Sequence, residues 1–203
     1  MNELAKIFGT TERLRLLRFL LRDINKEYTL SDIEEKTKIK IDILRKELLM
    51  LISVGMIEKK KTQVHTFANG RGSTIKEATV YKNTNDFKYR ETLSDLVLDY
   101  TRIDREAFIS RIKSYGRIKL LILSGVFTGD SKSRLDVLYV GEAMKVKDLE
   151  KAFASISIEL GRDIKYALMD LEEYIYRKKM FDSFLVEIME SKNEILIDKI
   201  TKY

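Results

Sequence analysis

The chain has no cysteine, which excludes disulfides, zinc ribbons and thiol nucleophiles together. It has one histidine, His65, so no paired-imidazole metal site can form and any metal would need oxygen ligands. His65 falls in a strand-like stretch and reads as a surface or wing residue. No apolar run approaches the roughly 18 uncharged residues of a membrane span. The opening Met1-Asn2-Glu3-Leu4 lacks the basic-then-apolar layout of a secretion signal. The expected location is the cytoplasm, with no membrane partner. Internal repeats and low-complexity tracts are also missing.

What is present is enough to fold. Hydrophobic residues make up 44% and charged residues 34% of the chain, too much apolar surface for a disordered polymer. Its 203 residues leave room for two domains of ordinary size, about 100 residues each. The net charge of +6 is unevenly placed: residues 1–90 hold 19 Lys+Arg against 12 Asp+Glu, a net +7, whereas residues 91–203 hold 19 against 20, a net −1. A positive excess confined to one half implies a polyanionic partner for that half, because cations on phosphates release counterions.

Apolar positions at Leu14, Leu16, Leu17, Leu20 and Leu21 predict a helix of about 12 residues opening at Thr11 as N-cap, with Glu12 favoured by the helix dipole. Thr29-Leu30-Ser31-Asp32 has the form of a capping box and predicts a short helix ending near Lys36-Thr37. A turn of three or four residues separates it from a helix over 41–54, closed by Gly55 as the left-handed residue. Two helices joined this tightly make a helix-turn-helix. Two β-like segments follow, Met56 to Ala68 and Ile75 to Tyr81, around the turn Asn69-Gly70-Arg71-Gly72-Ser73. Helix, helix, helix, strand, turn, strand is the order of a winged helix, expected over 1–86. A helical linker is expected over 87–116, with apolar stripes Leu93, Leu96, Val97, Tyr100 and Phe108, Ile109, Ile112. From Arg117 to residue 203 the pattern alternates. Strands are expected over 118–124, 135–140 and 164–169, with a helix over 146–160, a second helix opening at Asp170 and a short apolar run over 194–197. The overall class is α+β, with a small α/β domain at the C-terminal end.

In the resulting helix-turn-helix, the second helix would lie in the major groove with its first residues at base edges. That places Lys40, Asp42, Ile43, Arg45 and Lys46 at double-stranded DNA. Arg45 is the residue whose fork matches guanine O6 and N7, while Lys38, Lys40 and Lys46 are placed on phosphates. Lys59-Lys60-Lys61 leads into the hairpin, and Arg71 stands at its Gly-x-Gly tip, suited to a minor groove. One such module covers too little duplex for typical operator affinity, so a homodimer is expected.

The same residues carry a family resemblance. Tyr28-Thr29-Leu30-Ser31-Asp32-Ile33, Leu44-Arg45-Lys46-Glu47-Leu48, Val54-Gly55-Met56-Ile57-Glu58 and Val80-Tyr81-Lys82-Asn83 resemble winged helix-turn-helix regulators. Leu121-Ile122-Leu123-Ser124-Gly125-Val126-Phe127-Thr128-Gly129, Ser133-Arg134-Leu135-Asp136-Val137-Leu138, Gly161-Arg162-Asp163-Ile164-Lys165-Tyr166 and Phe184-Leu185-Val186-Glu187-Ile188 resemble a minimal nucleotidyltransferase-like domain. Active members of that family carry a Gly-Ser turn and two carboxylates, two residues apart on one strand, that hold metal against a nucleotide's phosphates. Here the turn reads Ser124-Gly125, Arg134 replaces the first acid, Asp136 keeps the second, and Lys165 stands where a third is expected. A guanidinium in a metal site repels Mg²⁺. The resemblance therefore implies a degenerate domain, not an enzyme, with no metal and no cofactor. Ser124, Gly125, Arg134, Asp136 and Lys165 remain as candidates for a nucleotide or phosphate effector. Two other classes fit the same sequence: an active nucleotidyltransferase or antitoxin-like modifier targeted by its N-terminal module, and a protein-interaction adaptor.

Overall fold

The computed structural model describes residues 3–67, 73–130 and 132–200. Among these the protein is α+β, with nine α-helices and two sheets. It divides into two compact units, Met1–Leu98 with Ile158–Gly161, and Asp99–Ser157 with Arg162–Tyr203. No described helix is long and apolar enough to cross a membrane.

The first unit runs α1 (Glu3–Ile7), α2 (Thr11–Arg22), β1 (Tyr28–Thr29), α3 (Leu30–Thr37), α4 (Ile41–Ser53), β2 (Ile57–Phe67), β3 (Ser73–Asn83) and α5 (Arg90–Val97). The N-cap of α2 is Thr10, not Thr11: Thr10 is extended, and its hydroxyl accepts from Arg13 N. Thr11 is already helical and bonds Glu12 instead. The capping box of α3 is formed as the sequence requires, with Thr29 Oγ1 accepting from Asp32 N at 3.2 Å and Asp32 Oδ2 from Thr29 N at 2.8 Å. The pair β1 and α3 share Thr29 as their junction, so the two-residue strand was hidden behind the cap.

Between α3 and α4, Lys38 takes a left-handed conformation (φ 55°) and its N–H bonds Glu34 O. Ile39 turns inward and is buried. At the far end of α4, Gly55 (φ 72°) lets the chain reverse, with its N–H on Ile52 O and that of Met56 on Leu51 O. β2 and β3 pair antiparallel from Ile57↔Asn83 to Phe67↔Ser73, and β1 adds to β3 to give the order β1-β3-β2. One core joins Leu16, Leu20, Ile33, Leu44, Leu48, Ile57 and Val97. Buried Arg18 fixes α5 by donating from Nε to Val97 O at 2.8 Å, and Asn83 ties β3 to α2 through Leu20 O.

The second unit contains α6 (Arg105–Ile112), β4 (Arg117–Leu123), β5 (Val137–Glu142), α7 (Val146–Leu160), β6 (Tyr166–Asp170), α8 (Leu171–Lys179), α9 (Ser183–Glu190) and β7 (Glu194–Asp198), with short 3₁₀ turns at 100–102, 113–115 and 125–127. Its sheet has the order β6-β5-β4-β7. β5 and β6 are parallel, and the other pairs are antiparallel. Leu120, Ile122, Leu138 and Val140 face a core with Tyr174, Leu185 and Ile188 of α8 and α9. Leu121, Leu123, Val137 and Tyr139 alternate with them and are equally buried. A covered sheet explains why these strands read as unbroken apolar runs. Phe127, Phe108, Phe153 and Tyr166 form a chain of ring contacts at 4.5–6.4 Å.

The helices expected as a linker over 87–116 are instead shared out. Val97 places α5 in the first core, while the rings around Phe108 place α6 in the second unit. Helix α9 was legible only as part of the family resemblance.

Candidate nucleic-acid interface

Helix α4 has two distinct faces. Leu44, Glu47, Leu48 and Leu51 are buried, following the i, i+3, i+4, i+7 stripe. Asp42, Arg45, Lys46 and Leu49 occupy the opposite face and are exposed. Ile43, 38% exposed, sits at the edge of that face. Lys38 and Lys40, both exposed, flank the helix N-terminus, where no side chain caps the first amides. Asp42 lies in the first turn, where the helix dipole favours an acid. Among the described residues, Lys38, Lys40, Arg45, Lys46 and Lys59 form no ion pair. The surface therefore presents cations that are not internally neutralised.

What holds this face outward is a residue that sequence reasoning passed over. Glu47 accepts both Nε (2.7 Å) and Nη2 (3.2 Å) of Arg13, a bidentate pair bridging α2 and α4. Arg13 also donates to Phe8 O at 3.0 Å. The Glu47 carboxylate holds the Arg13 guanidinium above its usual pKa range. Leu49 is the second omission, 66% exposed on the outward face. Counting 100° per residue from Leu44 would have found both, since Glu47 falls on the buried stripe and Leu49 off it.

The hairpin divides the lysine triplet. Directly opposed residues share a face, and Lys59↔Tyr81 and Lys61↔Thr79 alternate with Lys60↔Val80. Lys59 and Lys61 thus share the face of Ile57, whereas Lys60 points to the other side. There it is bonded by Glu58 at 3.2 Å and Glu27 at 3.7 Å, and those carboxylates raise the ammonium pKa, Glu58 most strongly. Lys61 pairs with Glu77 at 3.6 Å. Lys59 alone of the three is exposed with no ion pair among the described residues. A triplet expected to act together is split by the pleat. His65 lies on β2 opposite Ile75 of β3; Arg71 lies outside the described residues.

In the second unit, Ser124, Gly125, Asp136 and Lys165 do come together, but as an internal knot. Asp136 is buried; its Oδ1 accepts from Val126 N at 3.0 Å and its Oδ2 from Lys165 N at 2.8 Å. Its main chain bonds Ser124 N and Lys165 O. Gly125 (φ 54°) has no room for a side chain, because a Cβ would strike Asp136 Oδ1 and Leu135 O. Ser124 Oγ is within 3.0 Å of Ser133 Oγ and donates to Lys192 O. Each carboxylate oxygen of Asp136 thus accepts a backbone amide. Arg134 is exposed and pairs with Glu187 at 3.3 Å, and Lys165 joins the knot through its backbone with an exposed side chain. Asp130 accepts from Lys132 N as a loop residue. Among the described residues no group of acids and imidazoles has metal-site geometry. No protein-family model, curated protein or solved structure matches the chain.

Proposed function

We propose that this protein is a DNA-binding transcriptional regulator whose first unit is a winged helix-turn-helix. The observation that carries this reading is the outward face of α4. Arg45 and Lys46 stand there beside Lys38 and Lys40 with no ion pair among the described residues, on a helix tied to α2 by Glu47 and Arg13. The order helix-strand-helix-helix-strand-strand and the β1-β3-β2 sheet support it, since a helix beside a β-hairpin is an arrangement that can straddle a duplex. α4 enters the major groove, whose width admits one helix. Arg45 reads guanine, Leu49 meets a thymine methyl, and Lys38, Lys40 and Lys46 rest on phosphates. Lys59 extends the contact along the backbone.

The second unit is, in this reading, a degenerate nucleotidyltransferase-like domain that serves dimerisation or effector sensing. Its support is the Asp136 knot, which commits to folding the acid that transfer chemistry would need. Selection of the purified full chain on a random duplex library tests the whole reading. An enriched motif, repeated at about one helical turn if the protein is a dimer, is expected. Binding should fall steeply with salt, as phosphate contacts demand. An unenriched library with salt-insensitive retention would overturn it.

A further inference from the structure

The second unit is close to neutral in net charge, yet its cations are not evenly spread. A cleft of about 480 Å³ opens beside the start of β4 and the end of β7. Four cations line it: Lys113, Arg117, Lys119 and Lys199. Among the described residues, Glu142 pairs with two of them, Arg117 at 3.3 Å and Lys119 at 3.2 Å. Lys113 and Lys199 are exposed and have no ion pair among the described residues. Like charges gathered in one concave surface repel one another and focus a field that attracts anions.

The rest of the lining is of another kind. Ile109, Ile118 and Ile197 provide apolar surface within the same cleft. Behind its Gly116 wall lies the Tyr139 hydroxyl, which is buried and has no hydrogen-bond partner among the described residues. A Cβ on Gly116 would come within 2.9 Å of that oxygen. A volume of this size suits a small organic ligand. The isoleucines would cover a hydrocarbon or ring, and the two exposed ammonium groups of Lys113 and Lys199 favour a doubly charged head over a monocarboxylate.

We propose that this cleft binds a small phosphorylated molecule with an apolar body. The phosphate is held by Lys113 and Lys199, and the body lies on the isoleucines. The site is separate from the Ser124–Asp136–Lys165 knot, and it stands or falls independently of DNA binding by the first unit.

Hexyl phosphate, hexanoate, hexanol and inorganic phosphate, titrated calorimetrically into the full chain, separate the contributions. Hexyl phosphate is expected to bind at least about tenfold more tightly than each of the other three, and more weakly as salt rises. The double variant Lys113→Ala/Lys199→Ala should lose at least about tenfold of that affinity while melting as the parent does. Lys147→Ala/Lys179→Ala removes equal charge from exposed positions outside the cleft and should leave binding intact. Equal affinity for inorganic phosphate, loss of binding in the Lys147/Lys179 variant, an unaffected Lys113/Lys199 variant, or no binding at millimolar hexyl phosphate would each overturn the proposal. Should the Lys113/Lys199 variant melt early, chemical-shift changes on titrating the parent must map to Gly116, Ile118 and Ile197; shifts elsewhere would overturn it equally.

Discussion

Arg45 and Asp136 are both charged, both were singled out by sequence, and the fold uses them in opposite ways. Arg45 projects from α4 with no ion pair among the described residues, whereas Asp136 is buried with each oxygen on a backbone amide. The difference separates a group available to a partner from a group consumed by folding. A buried carboxylate that accepts two amides cannot release them cheaply, because each unpaired amide then carries its full desolvation cost. An exposed guanidinium loses little by leaving water for a phosphate or a base.

The contrast breaks most visibly at Asp136. Asp136→Ala removes the acceptor of the part-buried Val126 N and Lys165 N and is expected to cost about 3 kcal/mol of stability, read from urea unfolding of the full chain. An unchanged midpoint would mean that the carboxylate is not the clasp, and would reopen it as a ligand group. Next in size is the support beneath Arg45. Arg13→Ala leaves the largely buried Glu47 unpaired, at about 2 kcal/mol once the partial exposure of Arg13 is discounted. Replacing Glu47 by Gln in that background should restore part of the loss, and strict additivity of the two changes would deny their coupling.

At the outward face the expected effect is on binding instead of stability. Arg45→Ala should weaken binding to the selected duplex by about 1.5 kcal/mol, within the range of one bidentate base contact, with random duplex bound nearly as before. Equal losses on both would reassign Arg45 to phosphate.

Local chemistry was readable in advance, and distant chemistry was not. The Thr29–Asp32 box, the Gly55 stop and the limits of α7 follow from neighbours within four residues, and they stand where expected. Thr10 and Thr11 are adjacent equivalents as caps, so only the backbone angles separate them. The partners of Asp136 lie 10 and 29 residues away, and no spacing rule connects an acid to the amides of two other loops. The lysine triplet failed for a different reason. Composition counts three charges, but the strand's period of two gives Lys60 to Glu27 and Glu58.

Tyr28 offers the smallest and subtlest way to sharpen the comparison, because it is a buried ionisable group that stays neutral. It is buried, packs on Phe19 at 4.6 Å, and lies 3.4 Å from Asp23. Burial first, and then the Asp23 charge, push its pKa from 10.0 up to about 12. The unfolded chain therefore releases this proton before the folded one does. Stability from Tyr28 is complete below about pH 10 and drains away as pH rises toward about 12. With its partial contact with solvent discounted, the loss should be about 1 kcal/mol or less. Tyr28→Phe keeps the ring against Phe19 and cannot ionise, so its unfolding free energy should lack this alkaline decline relative to the parent. A parallel decline in both proteins would assign it to other groups and leave Tyr28 as packing alone.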